Sequence, residues 1–230
     1  MNNLLEIVIT KDGSHTIYNK FLNAHYHSIH GAIQESKHVF IKNGLQYQSE
    51  KKIEEIHILE VGFGTGLNAI LSLVFGKEIN TKIDYTGIEP NFLDYKTVEK
   101  IISSYSNYFD EKIIDKWLNI FLEQNNFYFL NDNFKLKIER INAENFITEQ
   151  HFDLIFLDAF SFDVQPELWS TDFFSQLYNL LNLDGIIVTY AAKGLIKRNL
   201  KKSGFIVETL QGPPGKREMI RAFMNSNKIR

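Results

Sequence analysis

The feature that most constrains this chain is a series of short, nearly uninterrupted apolar runs, spaced by stretches of helical periodicity, from residue 56 onward. Residues 56–61, 83–88, 136–141, 152–157 and 185–190 each read as a strand. A strand with apolar side chains on both faces must be covered on both. Helices linking successive parallel strands do this. Two further runs, 205–210 and 219–224, are joined only by Gln211-Gly212-Pro213-Pro214-Gly215. No helix fits that link, so this pair is predicted antiparallel. The expectation is an α/β chain with a Rossmann-like parallel sheet closed by an antiparallel C-terminal hairpin.

Around that core, residues 1–50 read as an N-terminal extension, extended or irregular with a short helix, packed on a main domain of residues 51–230. The stretch from about 92 to 135 is long for one crossover. Its two periodic segments, around 98–108 and 113–121, predict a helical insertion between the second and third strands. At 230 residues the chain is long enough for one sizeable core. It has no Cys, which excludes disulfides, Cys-ligated zinc and a Cys nucleophile. The seven His show no metal-ligand spacing, so no metal is expected. No apolar run is long enough to span a bilayer, and Met1 to Thr10 lacks a basic leader, so the expected location is cytoplasmic, away from membranes.

The net charge of −3 is unevenly spread. Residues 191–230 hold ten Lys/Arg against Glu208 and Glu218, a balance of +8, leaving −11 on the rest. Such an end reads either as a polyanion-binding face or as the solvated side of a terminal helix.

The first apolar strand runs into Glu60-Val61-Gly62-Phe63-Gly64-Thr65-Gly66. Glycines at a strand-to-helix turn let the backbone approach a ligand and present N–H groups to it. Here the spacing is G-x-G-x-G, and Glu60 precedes the first glycine. A carboxylate there repels a pyrophosphate and attracts an ammonium, which favours S-adenosylmethionine over a dinucleotide. Gly62, Gly64, Gly66 and Glu60 are therefore candidate cofactor residues. Glu89 ends the second strand, where a carboxylate can take both ribose hydroxyls; it also reads as a plain strand-end acid before Pro90. Asn142-Ala143 follow the third strand and can meet the adenine edge, or Asn142 can simply cap a helix. The fourth strand delivers Asp158 to the carboxyl edge of the sheet, where ligands bind in open α/β folds. Asp158 is the candidate catalytic acid–base group and touches the cofactor region as well; its alternative is a loop or cap acid.

The ordered blocks Asp12-Gly13-Ser14-His15-Thr16, Tyr26-His27-Ser28, Gly31-Ala32, Glu35-Ser36-Lys37-His38-Val39-Phe40, Gly62 to Asn68, Asp158-Ala159-Phe160, Pro166-Glu167-Leu168-Trp169, Ala191-Ala192-Lys193-Gly194 and Gly215-Lys216-Arg217-Glu218-Met219 span nearly the whole chain. In them the chain resembles the bacterial tRNA 5-methylaminomethyl-2-thiouridine methyltransferase family. One departure is Asn142, where an Asp is more usual. The resemblance implies S-adenosylmethionine-dependent N-methylation of the 5-aminomethyl group of (2-thio)uridine 34, in the anticodon region of tRNA. It also implies an upstream enzyme supplying that amine. Some members carry a fused flavin domain; this chain resembles the stand-alone form, without flavin. Lys193, Lys197, Arg198, Lys216 and Arg217 become candidate phosphate contacts. Phe160, Trp169 and Tyr190 become candidate stacking platforms, although residues of these types are more often core. The alternatives are a small-molecule amine methyltransferase or aminopropyltransferase of the same fold, and a non-catalytic RNA-binding module.

Overall fold

A computed structural model describes residues 4–224. Met1 to Asn3 of the N-terminal stretch, and Lys228 and Arg230 of the basic tail, lie outside the described residues. Strands β4 (Glu55–Val61), β5 (Lys82–Ile88), β6 (Phe127–Asn131), β7 (Phe134–Glu139), β8 (Phe152–Leu157), β9 (Leu181–Thr189), β10 (Ile206–Gln211) and β11 (Glu218–Phe223) form one sheet. Its order is β10-β11-β9-β8-β4-β5-β7-β6. The five central strands pair in parallel, and the β10–β11 hairpin closes one edge antiparallel, as the apolar runs predict. The chain runs outward from β4 to β5 and β7, then crosses back to β8. The carboxyl ends of β4 and β8 therefore adjoin where the direction of winding reverses, the usual place for a ligand in such sheets.

Both faces are covered. Alternate residues of each central strand enter different cores. Ile58, Phe156 and Val188 pack with Phe40, Leu45 and Ile70 on one side. Leu59, Ile155 and Ile187 pack with Phe174, Leu177 and Ile196 on the other. The first core is built by α3 (Leu67–Glu78), α4 (Tyr95–Ile102) and α5 (Glu111–Glu123), the second by α6 (Thr171–Asn179) and α7 (Gly194–Lys202). Asp94, Asp110 and Ser170 cap α4, α5 and α6 by accepting the Thr97, Ile113 and Phe173 N–H groups, satisfying donors that the first turn leaves free.

The N-terminal extension takes the extended of its two readings: β1 (Leu5–Ile9), β2 (His15–Asn19) and β3 (Ala24–His25) make a small antiparallel sheet. Its helix is not short. α1 (Ala32–Ser36), a π-helical run over Lys37–Gln46 and α2 (Tyr47–Ser49) follow one another without a break. Val39, Phe40 and Leu45 of that run are buried in the main core. The insertion is helical only as far as Glu123. Phe127–Asn131 alternates inward and outward side chains and folds back on β7 through Asn131-Asp132-Asn133, where Asn133 N–H donates to Asn131 Oδ1 at 2.8 Å. Turn chemistry there outweighs the helical reading. The third strand begins earlier than expected, at Phe134, and ends at Glu139, leaving Arg140 and Ile141 outside it.

Because the helical run shares the main core, Phe40→Ala should cost about 3–5 kcal/mol of unfolding free energy in urea titrations, as for other buried Phe truncations. A loss below about 1 kcal/mol would show that the helix is a detachable appendage.

Candidate active site

The glycine loop follows β4 and is held from three sides. Gly62 has φ of 92°, and a Cβ there would come within 2.6 Å of the Asp158 carbonyl oxygen. Only glycine allows the two strand ends to adjoin so closely. Gly66 has φ of 73°, and a Cβ there would meet the Trp117 ring at 2.5 Å. Trp117, from α5, donates its Nε1–H to the Thr65 carbonyl at 3.2 Å. Gly62 and Gly64 line the adjacent cleft, whereas Gly66 is turned toward the insertion. One of the three predicted glycines thus serves packing, and Trp117, with no local sequence signal, is what it packs against.

Three carboxylates converge beside this loop, and a fourth, Glu35, acts on one of them. Glu60 is fully buried and accepts from Asn68 Nδ2 at 2.7 Å and from the Tyr85 hydroxyl at 2.8 Å. The same Asn68 Nδ2 donates to Asp158 Oδ2 at 2.8 Å, so one amide bridges the two acids. Burial, and then the neighbouring Asp158, hold the Glu60 carboxyl well above the usual carboxylate range. Burial, and then Glu35, do the same to Asp158, while Asn68 and Lys216 pull it down. Glu89 accepts the Gly64 N–H at 3.0 Å and the Asn91 N–H at 2.9 Å. Burial raises it, and those two hydrogen bonds offset part of the rise. Asn68, Tyr85 and Glu35 were not among the expected site residues, since the contacts that recruit them come from distant parts of the chain.

A cleft of about 1250 Å³ opens at this edge. Gly62, Gly64, Asn68, Glu89, Asn142, Ala143, Asp158 and Phe160 line it; Glu60 lies beneath, reaching it only through Asn68. Asn142 begins a short 3-10 turn, but its side chain makes no capping hydrogen bond, which leaves it free to face the cleft. Phe160 is fixed by Gln165, which accepts its N–H at 2.9 Å, and meets Tyr26 edge-on at 5.1 Å. Tyr26 comes from the extension and closes over Gly64. Beside it, burial pushes the His27 imidazole down to about 4, so it stays neutral. Trp169 is fully buried and cannot present a stacking face; its Nε1–H holds the Phe160 carbonyl at 2.8 Å.

The basic candidates fall around a smaller hollow of about 410 Å³ lined by Tyr190, Lys193, Lys216 and Arg217. Tyr190 donates its hydroxyl to the Ala159 carbonyl at 2.8 Å. Lys193 pairs with Asp163, Lys197 with Glu218 at 2.6 Å, and Lys216 with Glu35. Arg198, Lys201, Lys202 and Arg217 are exposed. Among the described residues, no cluster of three or more His, Asp or Glu suits a metal ion, and no helix is long and apolar enough to cross a membrane.

This strand order, with a glycine loop after the first parallel strand and an acid just past each of its two neighbours, β5 and β8, defines a class I methyltransferase fold. A family model described as S-adenosyl-L-methionine-dependent methyltransferase matches residues 105–225, more than half of the chain, and the chain belongs to that family. The tRNA 5-methylaminomethyl-2-thiouridine biosynthesis bifunctional protein MnmC of Nitrosospira multiformis is 25% identical over 206 residues, covering 85% of this chain. The chain spans about a third of that relative's length, 33%. The crystal structure of MNMC2 from Aquifex aeolicus matches with 27% identity and a TM-score of 0.77, over 95% of this chain and 70% of that one. Spermidine synthase from Thermotoga maritima shares the fold at 14% identity and a TM-score of 0.59, over 96% of this chain and 68% of that one.

The cleft suits the family's cofactor. Asn68, which lines the cleft, keeps its Oδ1 buried without a hydrogen-bond partner, an acceptor fit for an ammonium group. The raised carboxyls also have a consequence for the protein by itself. A group whose folded pKa exceeds its unfolded value contributes stability at low pH and loses it as pH rises through the folded value. Glu60→Gln removes one such group while keeping an acceptor for Asn68. The difference in melting temperature, variant minus wild type, should therefore grow as pH rises from about 5 to about 8. A difference constant across that range would show that Glu60 ionises normally.

Proposed function

We propose that this chain N-methylates the 5-aminomethyl group of (2-thio)uridine 34 in tRNA, giving 5-methylaminomethyl-(2-thio)uridine. The observation that carries this reading is the placement of Asp158. It stands at the carboxyl end of β8, tied through Asn68 to the glycine loop's acid on one side and open to the Phe160 wall of the cleft on the other.

When bound, S-adenosylmethionine supplies an electrophilic methyl group, and its carbon–sulfur bond breaks with the electron pair going to sulfur. The chain's own residues arrange the rest. Glu89 takes the ribose hydroxyls, and Asn142 with Ala143 meets the adenine edge. The Gly62–Gly64 backbone lies along the nucleoside, with Gly66 supporting the loop from below. Asn68 Oδ1, backed by Glu60, receives the ammonium. Asp158 accepts a hydrogen bond from the incoming amine, directs its lone pair toward the methyl carbon, and takes up the proton released as the nitrogen–carbon bond forms. A carboxyl raised above its usual range is a stronger base for that purpose. Phe160 and Tyr26 wall the acceptor side and offer ring faces to an unstacked base, with Trp169 and Tyr190 bracing the Asp158–Phe160 loop. The exposed cations of α7 and Arg217, with Lys193 beside them, form a face for tRNA phosphates. A separate reaction must supply the primary amine.

Labelled S-adenosylmethionine incubated with tRNA bearing 5-aminomethyluridine should place label in uridine 34, with binding that weakens as salt rises. Absence of label there sinks the reading. Methylation of free amines without tRNA affinity would assign a small-molecule amine instead. Asp158→Asn should lower kcat by about 10²-fold or more while the cofactor Kd stays within a few-fold; unchanged turnover removes Asp158 from the mechanism.

A further inference from the structure

Two charged side chains near Asp158 have no part in the reaction derived above. Glu35, on α1, is buried, and its Oε2 accepts the Ser28 N–H at 2.9 Å. Its Oε1 pairs with the ammonium of Lys216, which comes from the turn between β10 and β11. Lys216 Nζ lies 3.6 Å from the centre of the Tyr190 ring. Tyr190 donates its hydroxyl to the Ala159 carbonyl, one residue from Asp158. The same two segments meet twice more: the Gly215 backbone lies against the His30 ring, and His38 Nε2 sits 2.8 Å from the Gln211 carbonyl. Lys216 reads from sequence as a phosphate contact, but its ammonium is turned inward, onto a buried acid and a ring face.

We propose that the Glu35–Lys216 ion pair, built from opposite ends of the chain, is a positioning device that sets the charge state of Asp158. The proposal's bearing on catalysis rests on the reading of Asp158 as the proton acceptor. In a poorly solvated pocket, a neighbouring anion favours the protonated acid and a neighbouring cation favours the carboxylate. Glu35 is the foremost charge holding Asp158 up, and Lys216 opposes it. The other groups facing Asp158 are Glu60 through Asn68, Tyr85 on β5, and Tyr190 just past β9; Glu89, at the end of β5, acts on Glu60. Burial, with neighbouring carboxylates, keeps both tyrosines neutral. Among these described groups Lys216 supplies the one positive charge. The two members act on Asp158 in opposite senses, so loss of either one tips it in a predictable direction. Because Glu60 shares the Asn68 amide, the observed titration belongs to the coupled acids.

The test is the carboxyl-carbon NMR titration of the cofactor-free full chain, with the Asp158 resonance assigned by its loss in Asp158→Asn. Glu35→Gln, which keeps an acceptor for Ser28, should move the titration down by about one pH unit or more. Lys216→Met should move it up, Lys216→Arg should leave it in place, and the double variant Glu35→Gln/Lys216→Met should return it toward wild type. The acid limb of kcat against pH should follow the same directions. Shifts of the same sign in both single variants, or none in a folded Glu35→Gln, overturn the proposal. Full turnover in Asp158→Asn would instead defeat only the proton-acceptor reading, because the NMR titration reports the charge state without turnover.

Discussion

The site is organised around one amide. Asn68 gives hydrogens from a single nitrogen to Glu60 and Asp158, two acids from adjacent parallel strands that would otherwise repel. This arrangement is unfavourable for the protein alone. Glu60, Asp158 and Glu89 are raised chiefly by burial, and Asn68 keeps a buried carbonyl oxygen without a partner. Each feature is costly in a structure optimised for stability and useful in one that must receive a cation. On the proposed reading, a ligand carrying an ammonium group supplies the donor that Asn68 Oδ1 lacks and offsets the repulsion among these acids.

The surrounding fold holds that arrangement in register. Gly62 lets the end of β4 approach the Asp158 backbone, and Gly66 lets Trp117 of the insertion press on the loop. Tyr26 from the N-terminal segment completes the wall, and Glu35 pairs behind it with Lys216 from the C-terminal hairpin. The extension and the insertion are therefore structural parts of the site. Their buried residues belong to the same core as the central strands, so the catalytic edge and the stability of the domain cannot be separated cleanly.

The parallel strands were legible because an apolar run buried on both faces has few alternatives, and β8 falls where its six apolar and acidic residues predict. The closing hairpin was legible because its link is too short for a helix. β6 was not: Phe127–Asn131 is short, lies at an edge with Phe129 exposed, and is defined by its partner and turn more than by its own pattern. In the site, Glu60, Glu89, Asn142 and Asp158 were visible as acids and amides at strand ends. Tyr85 and Glu35 were not, because a mid-strand tyrosine and a helix acid gain meaning only from contacts 25 and 181 residues away. Trp169 shows the converse. Its place in a recognisable block suggested a surface for stacking, yet the second core takes it in and uses only its N–H.

The charge distribution has the same logic on a larger scale. The excess of Lys and Arg after residue 190 is partly spent in ion pairs with Asp163, Glu218, Glu35 and Glu208, and partly displayed on α7 and Arg217. Inside the cleft the sign reverses, with Glu89 and Asp158 on its walls and Glu60 behind Asn68. A polyanion drawn to the outer face gains nothing by entering, because its phosphates meet carboxylates there. On the proposed reading, a base carrying an aliphatic amine is the opposite case: its backbone suits the rim and its amine suits the interior. Discrimination of that kind needs no recognition of base edges. On the proposed reading it follows from a basic outer face and an acidic cleft wall.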